Sequence, residues 1–588
     1  MNSFFSNALI PPLQGTSQLG WVESKLSCFF TKLICFKLLK ENLWAVFFYC
    51  AAALLFFWPA LRFFSTSLIG PAEDNMFFYW ALWHGSESFS NPAFSFMHTQ
   101  LIYYPEGISL LFCNYYYYGI AITIFLRIFF TLPLIHNLLI FHTFVVAGFG
   151  AFCLIRYLTA DFKASLLGGF VFAFNPSHFA HSLHHLTIAS IQFIPFFVLF
   201  FIKTTREKTK KNIFLAALFM TLNALCDWNY LVYDLVFILL GSLYLLWRKR
   251  ADAWAALKRL IWIPVLSFIF LAPLIVPMIL ASTGRPFFKI LPGHDIYVAD
   301  FFGFFTPHPY HLLSANGLIK KINGTFTGNA WEMTAYLGIV NLLLIGFAAR
   351  HIWRKAGKYF LGFAAFMILA MGVSFHFLGH SLPMPMPYQL IQALPFFSQA
   401  RNPSRIIVYA YLFLAILTAF ALRHFLAGMR SKVRGRMVWA VIFLMVFLDF
   451  YAVDTVVTPV VLPPCYALIQ KDPAGNFGIL ELPRDSARYM LYQTMHGIPS
   501  VQGYMGRRFE KTLIDSLEND LKHLDKQKRQ LMANRVKYIV FFKKRLDWDS
   551  VKPADVKYFQ EREQIATIYA ATYEKIFSNN ESVVFKVY

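Results

Sequence analysis

Residues 43–66 read Leu-Trp-Ala-Val-Phe-Phe-Tyr-Cys-Ala-Ala-Ala-Leu-Leu-Phe-Phe-Trp-Pro-Ala-Leu-Arg-Phe-Phe-Ser-Thr. A hydrocarbon layer is crossed by roughly 17–25 mostly apolar residues, and this stretch meets that length. Working outward, comparable runs lie near 134–155, 164–177, 187–202, 212–226, 230–247, 260–282, 334–349, 359–375, 404–422 and 437–453, which makes eleven. The stretch 117–132 is ambiguous, and the short runs 164–177 and 212–226 extend into their flanking loops. The composition agrees, with 57% hydrophobic, 19% aromatic and only 14% charged residues in 588, and a mean hydropathy of +0.51. Soluble chains carry about 25% charged residues. The expected fold class is an α-helical polytopic membrane protein of about 11 spans with a small C-terminal extracytoplasmic α/β domain.

Charge placement orients the spans. With the N-terminus inside, the inner segments hold Lys25, Lys32, Lys37 and Lys40, then Arg156 and Lys163. Five cations follow at 203–211, five at 248–259, four at 350–358 and five at 423–436. The outer loops before residue 454 hold six: Arg127, Arg285, Lys289, Lys320, Lys321 and Arg401. This is the positive-inside asymmetry, repeated loop after loop. The net charge of +22 is therefore largely topological, and nucleic acid drops out as a partner. The seven cysteines form no CxxC pair and argue against a disulfide scaffold or a structural zinc site.

Three regions follow. Residues 1–42 are a cytoplasmic N-terminal segment without a cleavable signal, in which Lys25, Lys32, Lys37 and Lys40 alternate with Leu26, Phe29, Phe30 and Leu33 as in a helix lying on the inner leaflet. An unstructured tail is the alternative. Residues 43–453 form the membrane domain, with long outer loops at 67–133 and 283–333. An odd span count leaves 454–588 outside, where twenty Lys/Arg and sixteen Asp/Glu mark a soluble composition. There Gly478–Leu482 and Tyr538–Phe542 read as strands, 508–533 as one charged helix, and the Ser-Asn-Asn-Glu turn between Phe577 and Ser582 as the closure of a terminal hairpin.

The polar residues outside carry the functional signal. The first outer loop runs Gly70-Pro71-Ala72-Glu73-Asp74-Asn75, then Trp80-Ala81-Leu82-Trp83-His84, and later Tyr103-Tyr104-Pro105-Glu106-Gly107. Glu73 and Asp74, just beyond the first span, suit deprotonation of an acceptor hydroxyl or the holding of a divalent metal. The plain alternative is a solvated loop that avoids positive charge. Arg401 and Arg405 flank a proline at the outer mouth of the tenth span, where an arginine pair can hold a phosphate or simply anchor at headgroups. Arg285, Lys289, Lys320 and Lys321, in the outer loop 283–333, are second-choice candidates for phosphate contact. His178, His181, His184 and His185 emerge at helical spacing and can ligate a metal, completed by Asp74, Asp300 or Glu332, or bond to water, lipid or sugar. Asp227, with Trp228 and Tyr230, breaks an apolar hairpin and suits a sugar or a structural role, while Asp234 suits packing. Tyr115–Tyr118 read as an interfacial aromatic belt or a sugar platform.

Several of these stretches resemble the GT-C superfamily of membrane glycosyltransferases, and a large bacterial branch of it in particular. They are Glu73-Asp74-Asn75 with Trp80, Tyr104-Pro105-Glu106-Gly107, His185-Leu186 through Gln192 to Pro195, Asp300-Phe301-Phe302 through Thr306-Pro307, Glu332 through Tyr336-Leu337-Gly338, and Arg401-Asn402-Pro403-Ser404-Arg405. The resemblance spans nearly the whole chain through short motifs. It implies a hexosyl- or pentosyltransferase of a bacterial inner membrane. Such an enzyme takes a sugar from a polyprenyl-phosphate donor, within the membrane lipid, to an extracytoplasmic glycan, lipid or protein acceptor. The catalytic or metal-organising loop acid maps onto Asp74. Glu73 stands where the motif carries glycine, which leaves open which acid acts. On this reading Trp80, His84, Glu106, His185, Asp227, Asp300 and Glu332 bind substrate, Arg401 and Arg405 bind the donor phosphate, and a divalent metal (Mg or Mn) would sit on Asp74, His181 and His184. A lipid-linked glycan flippase would show internal repeats and mid-membrane ionisable groups, and no clear repeat is present. A non-catalytic envelope-assembly scaffold is the other rival.

Overall fold

The computed structural model describes residues 19–588 except 250, 284–292, 394–399, 454, 485–486, 506–507, 509 and 544–552, without side chains for 19–36 and 553–560. Arg285 and Lys289 lie outside the described residues. The expected apolar runs fall mostly on helices, although 187–202 is split between Leu186–Ala189 and Ile194–Arg206 and the runs at 164–177, 334–349 and 359–375 extend past the helix ends. Among the described residues, five helices are long and apolar enough to cross a membrane: Lys37–Phe56, Leu132–Thr159, Trp228–Trp247, Ala253–Ser282 and Pro403–Ala427. Shorter apolar helices occupy Tyr117–Leu126 and Phe162–Ala173. The runs at 334–349 and 359–375 form one helix, Ile339–Ala370, bent at Ile352, whose φ of −131° breaks the helical path. Helix Leu19–Phe56 runs unbroken from the N-terminal segment into the first apolar run.

Burial separates the centre of the bundle from its periphery. The apolar window of Pro403–Ala427 is 83% buried, whereas that of Ala253–Ser282 is 17% buried and carries exposed Trp262, Ile269 and Leu280. A water-exposed helix would not show so apolar an outer face; a lipid-facing one does. Close packing at the centre depends on small residues. A Cβ on Gly169 would lie 2.0 Å from the Tyr49 hydroxyl, which itself donates to the Leu166 carbonyl at 3.0 Å.

The C-terminal part carries a four-stranded sheet in the order Gly478–Leu482, Val536–Phe542, Ser582–Lys586, Glu574–Ser578. The first pair is parallel and the others antiparallel. The stretch 508–533 is not one helix. Thr512 and Asp515 form a capping box that starts the turn Leu513–Ser516, and a separate helix spans Leu524–Ala533. This unit grips the first loop: strand Ser67–Ile69 pairs antiparallel with Val457–Pro459, and Tyr103 and Tyr104 donate their amides to Gln502 and Ser500.

Candidate functional site

The loop that carries the acids is held rigidly. Gly70 has φ +106°, and a Cβ there would stand 1.9 Å from the Leu183 carbonyl oxygen, so only glycine lets the loop lie against helix Pro176–His184. Asn75 donates to the Ile69 carbonyl at 2.7 Å, and its Oδ1 is bonded to His136 at 2.8 Å. Asn137 accepts the Ile69 amide at 3.0 Å and donates to the Ser67 carbonyl at 2.7 Å. This clamp places Asp74 at the start of helix Asp74–Ser90, where the helix dipole favours an anion.

Asp74 faces a cavity of about 310 Å³ that His185, Tyr504, Asp227, Arg401 and Arg405 also line. His185 donates from Nε2 to Asp74 at 2.7 Å, and Tyr504 donates its hydroxyl to the other carboxylate oxygen at 2.5 Å. Burial alone would raise the Asp74 carboxyl; bonding and charge from His185, bonding from Tyr504 and the charge of Arg405 outweigh it and hold the group at about 2. Asp74 is thus an ionised hydrogen-bond acceptor. Glu73 turns elsewhere: its carboxylate meets His184 Nδ1 at 3.2 Å, and His184 also bonds Tyr310 and stacks on Trp331.

Behind this pair lies a second, fully compensated group. Glu332 is 2% exposed and accepts from Asn402 at 2.9 Å, Ser404 at 3.0 Å and Arg405 Nε at 2.8 Å. The segment Arg401–Arg405 therefore wraps Glu332. Burial would lift the Glu332 carboxyl, but the charge and hydrogen bonds of Arg405 keep it at about 2. Arg405 is committed to this ion pair, whereas Arg401 is exposed, stands 5.8 Å over the Tyr297 ring and lines the cavity.

The four histidines divide. His178 is bonded to the Ala173 carbonyl and to Thr143, an internal role. His181 and His185, four residues apart, share a face, and with Glu332 offer ligand atoms all within 4.8 Å of one another. Burial holds His181 well below its usual range, hence neutral. The Nδ1 atoms of His181 and His185 are buried without a bonding partner. His181 brings Nε2 to 4.0 Å from Glu332, and two imidazoles grouped with one carboxylate fit a divalent metal. The grouping differs from the expected one, for His184 faces Glu73, and Asp74 reaches the group through His185.

Asp227 lines the cavity, accepts from Asn114 at 2.6 Å and caps helix Trp228–Trp247. Other expected binders have structural partners and do not line the cavity. Trp80 donates to Gln493 at 2.7 Å and stacks on His84, whose Nδ1 is bonded to Tyr115. Glu106 accepts the Leu513 amide at 3.0 Å, and Asp300 accepts the amides of Phe302, Leu378 and Gly379. Lys320 and Lys321 are exposed on helix Gly317–Asn323. Tyr115–Tyr117 are no interfacial belt but buried packing, because helix Tyr117–Leu126 folds back against helix Asp74–Ser90. Tyr504 and the Asn75–His136–Asn137 clamp carry no signal in the sequence beyond Asn75 beside the acid pair.

The sequence matches no family model and no curated protein. Solved structures are similar in fold. Arabinofuranosyltransferase AftD from Mycobacteria superposes with a TM-score of 0.55 at 12% identity, covering 93% of this chain and 40% of that one. ArnT from Cupriavidus metallidurans bound to undecaprenyl phosphate gives 0.48 at 10% identity, covering 93% and 98%. Oligosaccharyltransferase AglB from Archaeoglobus fulgidus, with an inhibitory peptide and a dolichol-phosphate, gives 0.46 at 11% identity, covering 86% and 69%. The chain thus spans two fifths of the AftD chain. Its fold is like that of this arabinofuranosyltransferase.

Proposed function

We propose that this chain is a GT-C glycosyltransferase of a bacterial inner membrane, moving a sugar from a polyprenyl-phosphate donor to an extracytoplasmic acceptor. The reading includes eleven crossings, a cytoplasmic N-terminus, and residues 454–588 as an extracytoplasmic acceptor-recognising domain. One observation carries it: Asp74 lies in a cavity with His185 and Tyr504 on its carboxylate and Arg401 on the same wall. The likeness of the fold to an arabinofuranosyltransferase supports glycosyl transfer as the reaction class.

The chemistry follows from these groups. The acceptor hydroxyl oxygen bonds to the anomeric carbon of the donor as the bond from that carbon to the phosphate oxygen breaks. Polyprenyl phosphate leaves with the bonding pair, and Arg401 balances its charge. The hydroxyl proton passes to the Asp74–His185 pair. A carboxylate held at about 2 is a weak proton acceptor alone, but it orients His185 and stabilises the imidazolium, while His185 Nδ1 has no other partner. Arg405 keeps Glu332 in place and positions the neighbouring Arg401. A divalent metal on His181, His185 and Glu332 would occupy His185 Nδ1, so in a metal-bound site Asp74 alone would take the hydroxyl proton while the metal would supply charge near the donor phosphate; two imidazoles and one carboxylate suit manganese or zinc ahead of magnesium.

The test uses purified protein in liposomes with a panel of labelled polyprenyl-phosphate sugars and a crude envelope acceptor. Release of free polyprenyl phosphate that disappears in Asp74→Asn supports the transferase, and sensitivity to chelator assigns the metal. A folded protein that turns over no donor, yet moves labelled lipid between leaflets, refutes the transferase in favour of a flippase.

A further inference from the structure

The helices that carry the Asp74 cavity present a different cavity at their other ends. Asp227 and Trp228 open helix Trp228–Trp247 at the Asp74 cavity, whereas Tyr244, Trp247 and Arg248 close it at the second one. Arg405 opens Pro403–Ala427, and Phe420 and Arg423 lie near its end. At 1.5 Å per residue these helices separate the two cavities by about 30 Å, the thickness of a bilayer core. The second cavity measures about 1280 Å³.

Six cations line it: Arg206, Arg248, Arg354, Lys355, Lys358 and Arg423. They come from four separate helices, and among the described residues no acidic side chain joins them. Glu207, the acid next in sequence, accepts from Tyr157 at 3.3 Å and from Asn212 at 2.9 Å. Trp247 and Trp353 are also in the wall, 69% and 58% exposed, as indoles are at headgroup depth. Tyr359 forms a deeper wall, stacked on Phe420. The break at Ile352 makes the convergence, turning the chain so that Arg354, Lys355 and Lys358 face the ends of the other helices.

Retention of cations on the inner face needs no cavity; exposed loops suffice. Here the cations surround a concavity of headgroup size with apolar walls and an indole rim. We infer that this cavity is a binding site for an anionic phospholipid carrying two phosphates, of the cardiolipin class. The cations arrive from four helices, an arrangement that two separated phosphates answer better than one, and the acyl chains lie along the apolar walls. The site takes its inner-leaflet position from the charge asymmetry of the loops and does not depend on the proposed transfer reaction.

Native mass spectrometry of the full-length protein in detergent tests this, with cardiolipin, phosphatidylcholine and inorganic pyrophosphate added in turn. The native chain retains cardiolipin over phosphatidylcholine. The double variant Arg354→Gln/Arg423→Gln, with an unchanged melting temperature in lipid-free detergent, binds cardiolipin about ten-fold more weakly or worse, each cation near an anionic headgroup contributing on that order. If that pair fails to fold, Lys355→Gln alone gives a smaller loss in the same direction. Equal retention of cardiolipin and phosphatidylcholine, equal binding by native and variant chains, or binding of pyrophosphate as tight as that of the lipid overturns the proposal.

Discussion

The two ends of helix Trp228–Trp247 treat charge in opposite ways. At the Asp74 end the charges are few and, apart from exposed Arg401, matched: Glu332 with Arg405, Asp74 with His185 and Tyr504, Asp227 with Asn114. At the Arg248 end six cations meet with no acid among the described lining residues. Burial makes the difference. A charge out of water survives only with partners, whereas cations at a headgroup interface remain hydrated. Matched, fixed charges are what a reaction needs, because they do not reorganise as charge develops. Converging cations with no acid in the described lining are what an anionic ligand needs.

The contrast can be broken by substitution, starting where the effect is largest. Asp74→Asn is expected to lower turnover about 10²–10⁴-fold, the usual range for a group handling a proton, with folding retained; initial rates on the best donor measure it. Glu332→Gln strands Arg405 as a buried, unpaired cation and is expected to cost about 3–5 kcal/mol, read as a loss of thermal stability in detergent. Tyr504→Phe removes one bond to Asp74 and keeps the shape, so turnover falls about 10-fold, as for other supporting partners of a reactive group. At the opposite end, Arg354→Gln is expected to change stability in lipid-free detergent by less than about 0.5 kcal/mol, since an exposed cation there lacks a folded-state partner to lose. A large loss of stability from Arg354→Gln, or none from Glu332→Gln, would dissolve the distinction.

A further test lies in the C-terminal sheet. Glu481 is fully buried, bonded to Ser500 and Tyr466, and burial lifts its carboxyl to about 8. A carboxyl raised in the folded state stabilises while protonated, so its contribution is whole below about 4.5 and is lost as pH rises through about 8. Denaturation followed against pH is expected to show stability falling over that window in the native chain, with a weaker dependence in Glu481→Gln.

The uneven treatment of charge also explains what was legible in the sequence. Apolar runs fall mostly on helices because lipid favours helical, apolar stretches of a limited range of length. The cations of 203–211, 248–259, 350–358 and 423–436 could be read one by one, as their placement obeys a local rule, though their meeting in one cavity could not. Strand Gly478–Leu482 was visible with its ends, and Val536–Phe542 only from Tyr538 onward, from their β-branched and aromatic residues. The break in 508–533 was also written there, in the Thr512-Glu/Asp capping pattern completed by Asp515, and the charge density hid it. Asp74, Asp227, Arg401 and His185 were legible as polar residues beside apolar runs. Their partners were not. Tyr504 meets Asp74 across 430 residues, and Arg405 meets Glu332 across 73, so no local pattern pairs them. For that reason Arg405 read as a phosphate ligand, whereas its guanidinium is bound to Glu332.

The most direct test asks which cavity holds the polyprenyl phosphate. A polyprenyl phosphate bearing a photoactivated group next to the phosphate is irradiated with the full-length protein in liposomes, and the labelled peptides are mapped by mass spectrometry. The account predicts labelling of the wall of the Asp74 cavity, at Phe78, Trp228 or Val232, suppressed by unlabelled donor and weakened by Arg401→Gln. Labelling confined to the cavity of Arg354 and Arg423, or labelling at the Asp74 wall that unlabelled donor leaves untouched, would contradict it.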